Sequence, residues 1–404
     1  MAVAAQIRPV ASEGHTRHLA YVVDSDTAHA TQQCFDALGL AFCDVRKGTI
    51  KDARAHVVAN GSPQLLVVDI QDHELPVTAV DELAEVCEPG VKVVVIGERA
   101  DIGLFRDLMR IGVSDYIAQP VTPDHLQRAI QTALTGESPQ RQRTGKVVAV
   151  AGARGGSGVS TLTASVGWWL AHELTRRVAL IDLDLHTGCL DVLLGTGRAR
   201  GLREALESEH EIDDVFLDRA LATAGERLYL LGAQEPLDEA LNAAPGGLDR
   251  LLTALCHRFH FVILDVPRQP GPLAARALAR ADIRLVVADP SLPALRDQAR
   301  LGQLLDQTGS EGKRTLRVLN HRLPDTRGQV PRADAERKLA QTFDHELPYD
   351  RAAAAAEAAG EPLAHRGGAS AAALRALAED VSGKGRRRPA GGRLGRILGR
   401  RART

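Results

Sequence analysis

The sequence predicts an α/β protein built from two mostly parallel sheets. Short apolar runs alternate with helical patterns through most of the 404 residues, which is typical of strand–helix repeats. A polar stretch with Gly, Pro and several basic residues, at 137–146, favours a linker between two such blocks. We therefore predict domains at 18–136 and 147–382, with a flexible N-terminus at 1–17 and a basic tail at 383–404.

Charge is unevenly distributed along the chain. The formal net charge is -1, but Lys384 to Arg403 contains nine basic residues and no acidic one. Removing those nine positive charges from the total leaves about -10 on the rest, so the body is acidic and the tail strongly basic.

Cysteine usage and hydropathy bear on the cellular compartment. The five cysteines are scattered without C-x-x-C spacing, which argues against a zinc site or a disulfide framework. No apolar run approaches the length of about 18 residues that a membrane-spanning helix needs. The first 17 residues lack the apolar core of a signal peptide. We expect a cytoplasmic protein whose membrane contacts are peripheral.

The first block contains five strand-like runs, each followed by a helical pattern. The runs lie at 18–23, 41–45, 64–70, 91–97 and 114–118, and the last helix is expected at about 122–135. Asp24 follows the first run and Asp69 closes the third. This arrangement resembles the phospho-acceptor receiver family. The resemblance implies a flavodoxin-like (βα)5 fold, with Asp24 in a metal-binding acidic pair and Asp69 as the phosphoryl acceptor.

Three receiver positions depart from the family pattern. Ser25 interrupts the acidic pair, Gly97 stands at the Thr/Ser position, and Gln119 replaces the lysine. Phosphoryl transfer needs a metal ion and a cation to neutralise developing charge. We therefore predict a pseudo-receiver in which Asp24 and Asp69 are not phosphorylated.

The second block opens on a glycine-rich turn between an apolar run and a helical pattern. Such a turn can present backbone N–H groups to a phosphate at a helix N-terminus, and Ser160 can offer its hydroxyl to Mg²⁺. The turn could alternatively be a plain strand-to-helix connection. Its candidate nucleotide-binding residues are Arg154, Gly155, Gly156, Ser157, Gly158, Val159, Ser160 and Thr161.

Aspartates end two later strand-like runs in the same block. Asp182 and Asp184 close one run, and Asp265 closes "FHFVILDVP". Elements of this type in this order resemble the deviant P-loop family of MinD and ParA ATPases. The resemblance implies ATP or ADP as ligand, with Mg²⁺ held by Ser160, Asp182 and Asp265. In an active enzyme, Asp182 and Asp184 would also organise the attacking water.

The same resemblance implies an adenine pocket and a nucleotide-linked homodimer. Pro290 and Asn320 occupy the positions at which the family holds adenine. A polar residue that merely ends a strand is the alternative for Asn320.

Both lysines of the family loop are replaced. Arg154 stands for the signature lysine and retains the cation, whereas Val159 removes the lysine beside the terminal phosphates. A unit charge pair at 4 Å contributes about 4 kcal/mol at an effective dielectric constant near 20. We predict that the protein binds ATP with weak or no hydrolysis.

A receiver-like block fused to a MinD-like block without its loop lysine is similar to the CpaE/TadZ group of Flp/Tad pilus assembly proteins. That resemblance implies a localisation factor for the pilus secretion machinery at the inner membrane, recognised by machinery proteins or a polar landmark protein. A division-site or chromosome-positioning factor of the MinD/ParA type is the alternative. A phosphorylation-controlled response regulator is the weakest of the three.

The basic tail carries a short apolar stripe. Leu394, Ile397 and Leu398 have helical spacing and are flanked by arginines, a pattern that favours an anionic membrane surface. Nucleic-acid contact through phosphate neutralisation and an unstructured solubilising tail are the alternatives.

Overall fold

The computed structural model describes residues 17–383, except 72, 74, 99–100, 136–143, 209, 211, 245, 269–270, 308–311, 325–327 and 364–367. Two separate sheets, of five and eight strands, form the framework of this part of the chain. The predicted N-terminal segment, most of the linker and nearly all of the basic tail lie outside the described residues. Within the described part, no helix combines the length and the apolar character needed to cross a membrane.

The first sheet is entirely parallel, with strand order β2-β1-β3-β4-β5. Its strands are β1 (His18–Val22), β2 (Cys43–Lys47), β3 (Leu65–Asp69), β4 (Lys92–Gly97) and β5 (Asp115–Ala118). The helices are α1 (Ser25–Ala37), α2 (Ile50–Asn60), α3 (Pro76–Val86), α4 (Ile102–Arg110) and α5 (Pro123–Thr135).

Apolar clusters cover both faces of this sheet. Leu66 and Val68 belong to one cluster, whereas Leu65 and Val67 belong to the other. Successive side chains of a strand point to opposite faces, so the continuous apolar run of β3 is explained by burial on both sides.

The predicted strand positions of this block agree with the structure to within two residues. The largest difference is at β2, which begins at Cys43 instead of residue 41. Phe42 has a φ of 57° and is exposed. A residue with left-handed backbone conformation cannot continue a strand. The apolar residues 41–42 therefore led us to predict a start that is two residues too early.

The second sheet has the order β13-β12-β11-β6-β10-β7-β9-β8 and is parallel except for β8. Its strands are β6 (Lys146–Gly152), β7 (Val178–Asp182), β8 (Ala222–Thr223), β9 (Leu228–Leu231), β10 (Phe261–Val266), β11 (Ile283–Ala288), β12 (Arg314–Asn320) and β13 (His345–Leu347). The helices are α6 (Val159–His172), α7 (Leu190–Leu193), α8 (Leu202–Glu207), α9 (Asp214–Ala220), α10 (Gly247–Arg258), α11 (Pro272–Arg280), α12 (Leu292–Gln307), α13 (Arg332–Leu339), α14 (Ala352–Ala359) and α15 (Ala369–Ser382).

The position of β6 determines where the glycine-rich turn lies. β6 pairs in parallel with β10 on one side and β11 on the other, so the turn emerges at the centre of the sheet. Gly167 then allows α6 to approach β7, because a Cβ atom there would lie 2.6 Å from Leu180 Cδ2. The carboxyl ends of the parallel strands meet at one edge, where ligands bind in open α/β sheets.

Polar contacts join the two sheets. Arg177 Nη1 lies 2.7 Å from Glu88 Oε2, and Arg176 Nη2 lies 3.2 Å from Glu85 Oε2. The His260 ring also joins the two sheets. Its Nδ1 accepts from Arg177 N at 3.0 Å, and its Nε2 donates to the Cys87 carbonyl at 2.7 Å. Since Nδ1 accepts a hydrogen bond, this arrangement requires the neutral ring.

Protonation of His260 should weaken this junction. Burial, followed by the charge of Arg176, lowers the pKa of His260 from 6.5 to about 4. Below pH 6.5 the unfolded chain binds the proton first, so the free energy of unfolding should fall as the pH drops from 6.5 towards 4. Each pH unit in that window is worth about 1.4 kcal/mol at most.

We expect His260→Gln, which retains a donor, to reduce this loss of stability. The measurement is urea denaturation at pH 7.5 and pH 5 for the wild type, His260→Gln and the control His257→Gln, which changes an exposed histidine. The wild type and the control should lose about 1–2 kcal/mol more between these pH values than His260→Gln. Identical pH dependence in all three proteins would contradict the assignment.

Candidate nucleotide site

The glycine-rich turn leads directly from β6 into α6. Its first residue is tied to the neighbouring strand, because Ala153 N donates to Val287 O at 2.8 Å. Gly156 and Gly158 have φ values of 72° and 91°, a left-handed conformation that residues with a Cβ rarely adopt. The N–H groups in the first turn of a helix have no intrahelical carbonyl partner. The turn therefore has the backbone geometry of an anion-binding loop.

Asn320, at the end of β12, braces this turn. Its Nδ2 donates to Ser157 O at 2.8 Å, and a Cβ atom on Gly158 would lie 2.5 Å from that nitrogen. Asn320 therefore lies beside the loop, and its amide group holds the backbone. A role in adenine recognition, predicted from the sequence, would use the groups that remain, which are the second N–H of the amide and the Oδ1 acceptor.

Pro290 lies elsewhere. It is buried, its carbonyl accepts from Val330 N at 2.8 Å, and it is absent from the residues that line the cavity beside the loop. An adenine contact at Pro290 stays a prediction from the sequence. The residue is covered because the segment that leads into α13 packs across it, an arrangement that the linear pattern did not predict.

Two buried carboxylates face the start of α6. Asp182 and Asp265 are paired in register across β7 and β10, and both are at least nine-tenths buried. Burial, followed by the nearby charge of Asp182, raises the pKa of Asp265 to about 8, although a hydrogen bond from Ser160 lowers it. Burial is also the largest cause that raises the pKa of Asp182 to about 6, against hydrogen bonds from Leu190 and Asp184.

This pair has the character of a cation site. Like charges in a desolvated environment favour a bound cation or protonation. Among the described residues, no group of three or more His, Cys, Asp or Glu side chains could hold a metal ion. Mg²⁺ in nucleotide sites typically uses one or two carboxylates, phosphate oxygens and water. The chemistry of Ser160, Asp182 and Asp265 is compatible with that pattern, so their role as Mg²⁺ ligands stays a prediction, with the nucleotide expected to supply the remaining oxygens.

Gly188 allows the chain to pass close to this pair. A Cβ atom there would lie 2.5 Å from the Asp182 carboxylate. Asp182 also accepts from Asp184 N at 3.2 Å and from Leu190 N at 3.1 Å. The backbone after β7 is therefore wrapped around the carboxylate.

Asp184 is occupied by local hydrogen bonds. Its Oδ1 accepts from His186 N and Thr187 N, at 3.3 and 2.9 Å, and its Oδ2 accepts from the Thr187 hydroxyl at 2.6 Å. Its side chain lines the cavity. The predicted role in organising an attacking water would use the remaining acceptor capacity of Oδ2, which accepts only one of these bonds.

A cavity of about 660 Å³ lies over the loop. Its walls are the turn, the carboxyl ends of β7, β10 and β12, and the segment after β13. All of the loop positions predicted from Arg154 to Thr161 line it, together with Asp182, Asp184, Asp265 and Asn320. Its volume is in the range of cavities that bind small molecules.

Val159 has two environments. It lines the cavity, and it packs against the apolar cluster that contains β6 and α6. A Cβ atom on Gly152 would lie 2.7 Å from Val159 Cγ2. The position that holds the family lysine therefore supplies an apolar contact and no charge.

Two arginines are among the cavity residues that the sequence patterns did not identify. Arg268 follows β10 and lies beside Gly155, and Arg322 follows β12 and lies beside Gly156. A basic residue two or three positions after a strand that ends at such an edge is the signal that could have identified them.

The receiver-like aspartates serve local roles. Asp24 caps α1 by accepting from Thr27 N and Thr27 Oγ1, both at 2.7 Å. Burial would raise the pKa of Asp24, but these hydrogen bonds outweigh it and lower the pKa. Asp69 is buried and accepts from Gln71 N at 3.0 Å and from the Gln119 amide at 3.3 Å.

Gly97 has a steric explanation. A Cβ atom there would lie 2.8 Å from the Tyr116 hydroxyl oxygen, so Tyr116 occupies the space that a larger side chain would require. Neither this position nor Gln119 offers the hydroxyl or ammonium group of a receiver site.

Comparison with known proteins identifies the family of the second block. Residues 145–380, more than half of the chain, match the family model described as "Cellulose biosynthesis protein BcsQ". The chain belongs to this family. It is also similar to the septum site-determining protein MinD of Thermotoga maritima, with 28% identity over 182 residues. That match covers 45% of this chain and 65% of the relative, just under two thirds of its length.

Solved structures agree with this assignment of fold. MinD of Pyrococcus horikoshii, crystallised with Mg-ADP, gives a TM-score of 0.51 at 23% identity and covers 58% of this chain and 95% of that chain. This similarity shows the fold alone and confirms the predicted MinD/ParA-like P-loop domain. A pilus assembly protein CpaE from Caulobacter crescentus is 35% identical, covering 28% of this chain and 95% of that chain, but its TM-score of 0.27 supports no structural argument.

The contact between Gly188 and Asp182 can be tested by adding one methyl group. We expect Gly188→Ala to lower the free energy of unfolding by about 1–3 kcal/mol, because the new Cβ overlaps the carboxylate. Gly197→Ala is the control, since a Cβ there meets no atom within 4 Å, and it should change stability by less than about 0.5 kcal/mol. Urea denaturation followed by tryptophan fluorescence measures both. Equal stability of the two variants would show that the chain does not approach Asp182 this closely.

Proposed function

We propose that the protein is a nucleotide-linked localisation factor that binds MgATP or MgADP and hydrolyses ATP slowly or not at all. The observation that carries this proposal is the combination at the loop of β6 and α6. Ser160 and the buried Asp182–Asp265 pair are retained, whereas Val159 replaces the cation of the loop. The groups expected to bind the nucleotide and Mg²⁺ are therefore present, whereas the loop lysine that would promote phosphoryl transfer is absent.

The energetic consequences of these two features differ. Backbone N–H groups and Mg²⁺ act on the bound nucleotide before and during reaction, so they support affinity. A loop lysine stabilises charge that develops on the phosphate oxygens during transfer. Its loss therefore reduces the rate more than it reduces binding.

A homodimer would place Arg154 at the nucleotide of the partner subunit. Arg154 lines the cavity and is half-buried. A guanidinium can donate two parallel hydrogen bonds to a phosphate, so a dimer that depends on nucleotide is compatible with the substitution of the signature lysine.

We infer a role in assembling the Flp/Tad pilus secretion machinery. Two features support it: the strand order 2-1-3-4-5 of the first sheet, which is that of flavodoxin-like domains, and the absence of receiver chemistry around Asp69. A pseudo-receiver joined to a P-loop domain with a valine at 159 is the combination that resembles CpaE/TadZ proteins. Partners would then be machinery proteins or a polar landmark protein at the inner membrane.

Two other roles have an observation in their favour. The curated relative is a septum site-determining MinD, which favours a division-site or chromosome-positioning factor. The family description names cellulose biosynthesis, which favours a role at a cellulose-exporting complex. A response regulator is disfavoured by Gln119 and Gly97.

A gene deletion separates these roles. We expect the deletion strain to lack surface pili and to divide normally, with cellulose export unchanged. Genes for a pilus secretion ATPase and pilins beside the gene would agree with this outcome. Minicells or filamentous cells would support the division role, and loss of cellulose alone would support the export role.

Nucleotide binding and hydrolysis should be separable at residue 159. Calorimetry with the wild type is expected to show Mg²⁺-dependent ATP binding, and a phosphate-release assay is expected to show negligible turnover. Val159→Lys should raise turnover by restoring the cation, whereas Val159→Leu, the uncharged control, should not. The absence of detectable ATP binding by the wild type would contradict the proposal.

The tail should associate with anionic membranes. Leu394, Ile397 and Leu398 lie outside the described residues, so this prediction depends on the sequence pattern. Replacing all three with Asp should abolish sedimentation with liposomes that contain anionic lipid, while thermal unfolding stays unchanged. Binding to DNA that survives the triple substitution, without liposome binding by the wild type, would contradict a membrane role.

A further inference from the structure

Two arginines lie against the glycines of the loop. A Cβ atom on Gly156 would lie 3.0 Å from Arg322 Nη1, and a Cβ atom on Gly155 would lie 3.4 Å from both Cδ and Nη1 of Arg268. The contact between Arg322 and Gly156 is tight enough to favour a residue without a side chain, whereas Arg268 lies at ordinary van der Waals distance from Gly155. Both guanidinium groups line the cavity over the loop.

Neither arginine has an electrostatic partner among the residues that the structure describes. Other arginines of this sheet are paired: Arg203 contacts three glutamates, and Arg332 contacts Glu336 and Glu346. No hydrogen bond or ion pair joins Arg268 or Arg322 to a described residue. Both are exposed to solvent, so they are free to bind an anion that enters the cavity.

A second polar group in the loop also lacks a partner. The Ser157 side chain is fully buried, lines the same cavity, and its hydroxyl has no hydrogen-bond partner among the described residues. A buried hydroxyl without a partner is unfavourable, because it has lost its hydrogen bonds to water. Unpaired groups of this kind are expected where a ligand completes the hydrogen bonding.

We propose that Arg268 and Arg322 bind the phosphate chain of the nucleotide and together replace the missing lysine at position 159. The proposal rests on the nucleotide binding proposed above. The segments after β10 and β12 place two guanidinium groups beside a loop that contains no lysine. Each guanidinium presents a planar set of N–H donors that matches phosphate oxygens.

This arrangement differs from a loop lysine in one physical respect. A loop lysine is part of the turn that it serves, whereas Arg268 and Arg322 belong to segments after β10 and β12. Phosphate binding by these two side chains therefore joins three separate segments at the sheet edge. Nucleotide binding should consequently draw those segments together. Such a conformational change suits the proposed localisation factor, which would act through its nucleotide-bound state and not through a reaction product.

The test compares ligands with and without phosphate. We expect Arg268→Ala/Arg322→Ala to bind MgATP about tenfold to a hundredfold more weakly than the wild type in calorimetry, from the loss of charge-assisted hydrogen bonds. Adenosine, which has no phosphate, should bind both proteins equally. Arg268→Lys/Arg322→Lys should recover part of the affinity for MgATP. Arg106→Ala, an exposed arginine on α4, is the control and should bind as the wild type does.

A rescue experiment addresses the replacement itself. Adding Val159→Lys to the double alanine variant should restore MgATP affinity, because the lysine returns a cation to the loop. MgATP affinity that is unchanged in the double alanine variant would overturn the proposal, as would an equal loss of adenosine binding, which would indicate a structural role. A wild type that binds no MgATP would instead refute the proposed function, so the two failures are distinguishable.

Discussion

Asp182 and Asp265 stand opposite each other because β7 and β10 pair in parallel with Ile181 opposite Leu264. Residues paired in this way point to the same face, so the sheet places two carboxylates side by side in a buried environment. A slip of one residue would turn one side chain to the other face. Burial raises the pKa of both carboxylates, and the nearby charge of Asp182 raises the pKa of Asp265 further.

The loop above the pair shows an unequal division of function. On the side proposed to bind Mg²⁺, a hydroxyl lies at the start of α6 and two carboxylates lie nearby. The side that faces the phosphates has a valine in the loop and arginines on neighbouring segments. This division is consistent with the proposed binding of a nucleotide without fast hydrolysis, since affinity and transfer depend on different groups.

Polar contacts between the first and second sheets lie close in sequence to β10, which contains Asp265 of the candidate site. Arg177 forms an ion pair with Glu88. It also makes cation–π contacts with Tyr229 and Phe259, whose ring centroids lie 5.2 and 5.1 Å from its guanidinium carbon. His260 immediately precedes β10, the strand that contains Asp265. Residues next to β10 therefore contact both sheets.

Local patterns in the sequence determined the strands, the glycine-rich turn and the aspartates at the strand ends. Apolar runs, glycines and caps act over a few residues, so a linear pattern contains them. Tertiary structure alone decided the bracing of the loop by Asn320, the burial of Pro290, the shortened start of β2 and the placement of Arg268 and Arg322. The contacts of Asn320, Arg268 and Arg322 with the loop join segments more than a hundred residues apart, and one sequence does not specify which distant side chains share an edge.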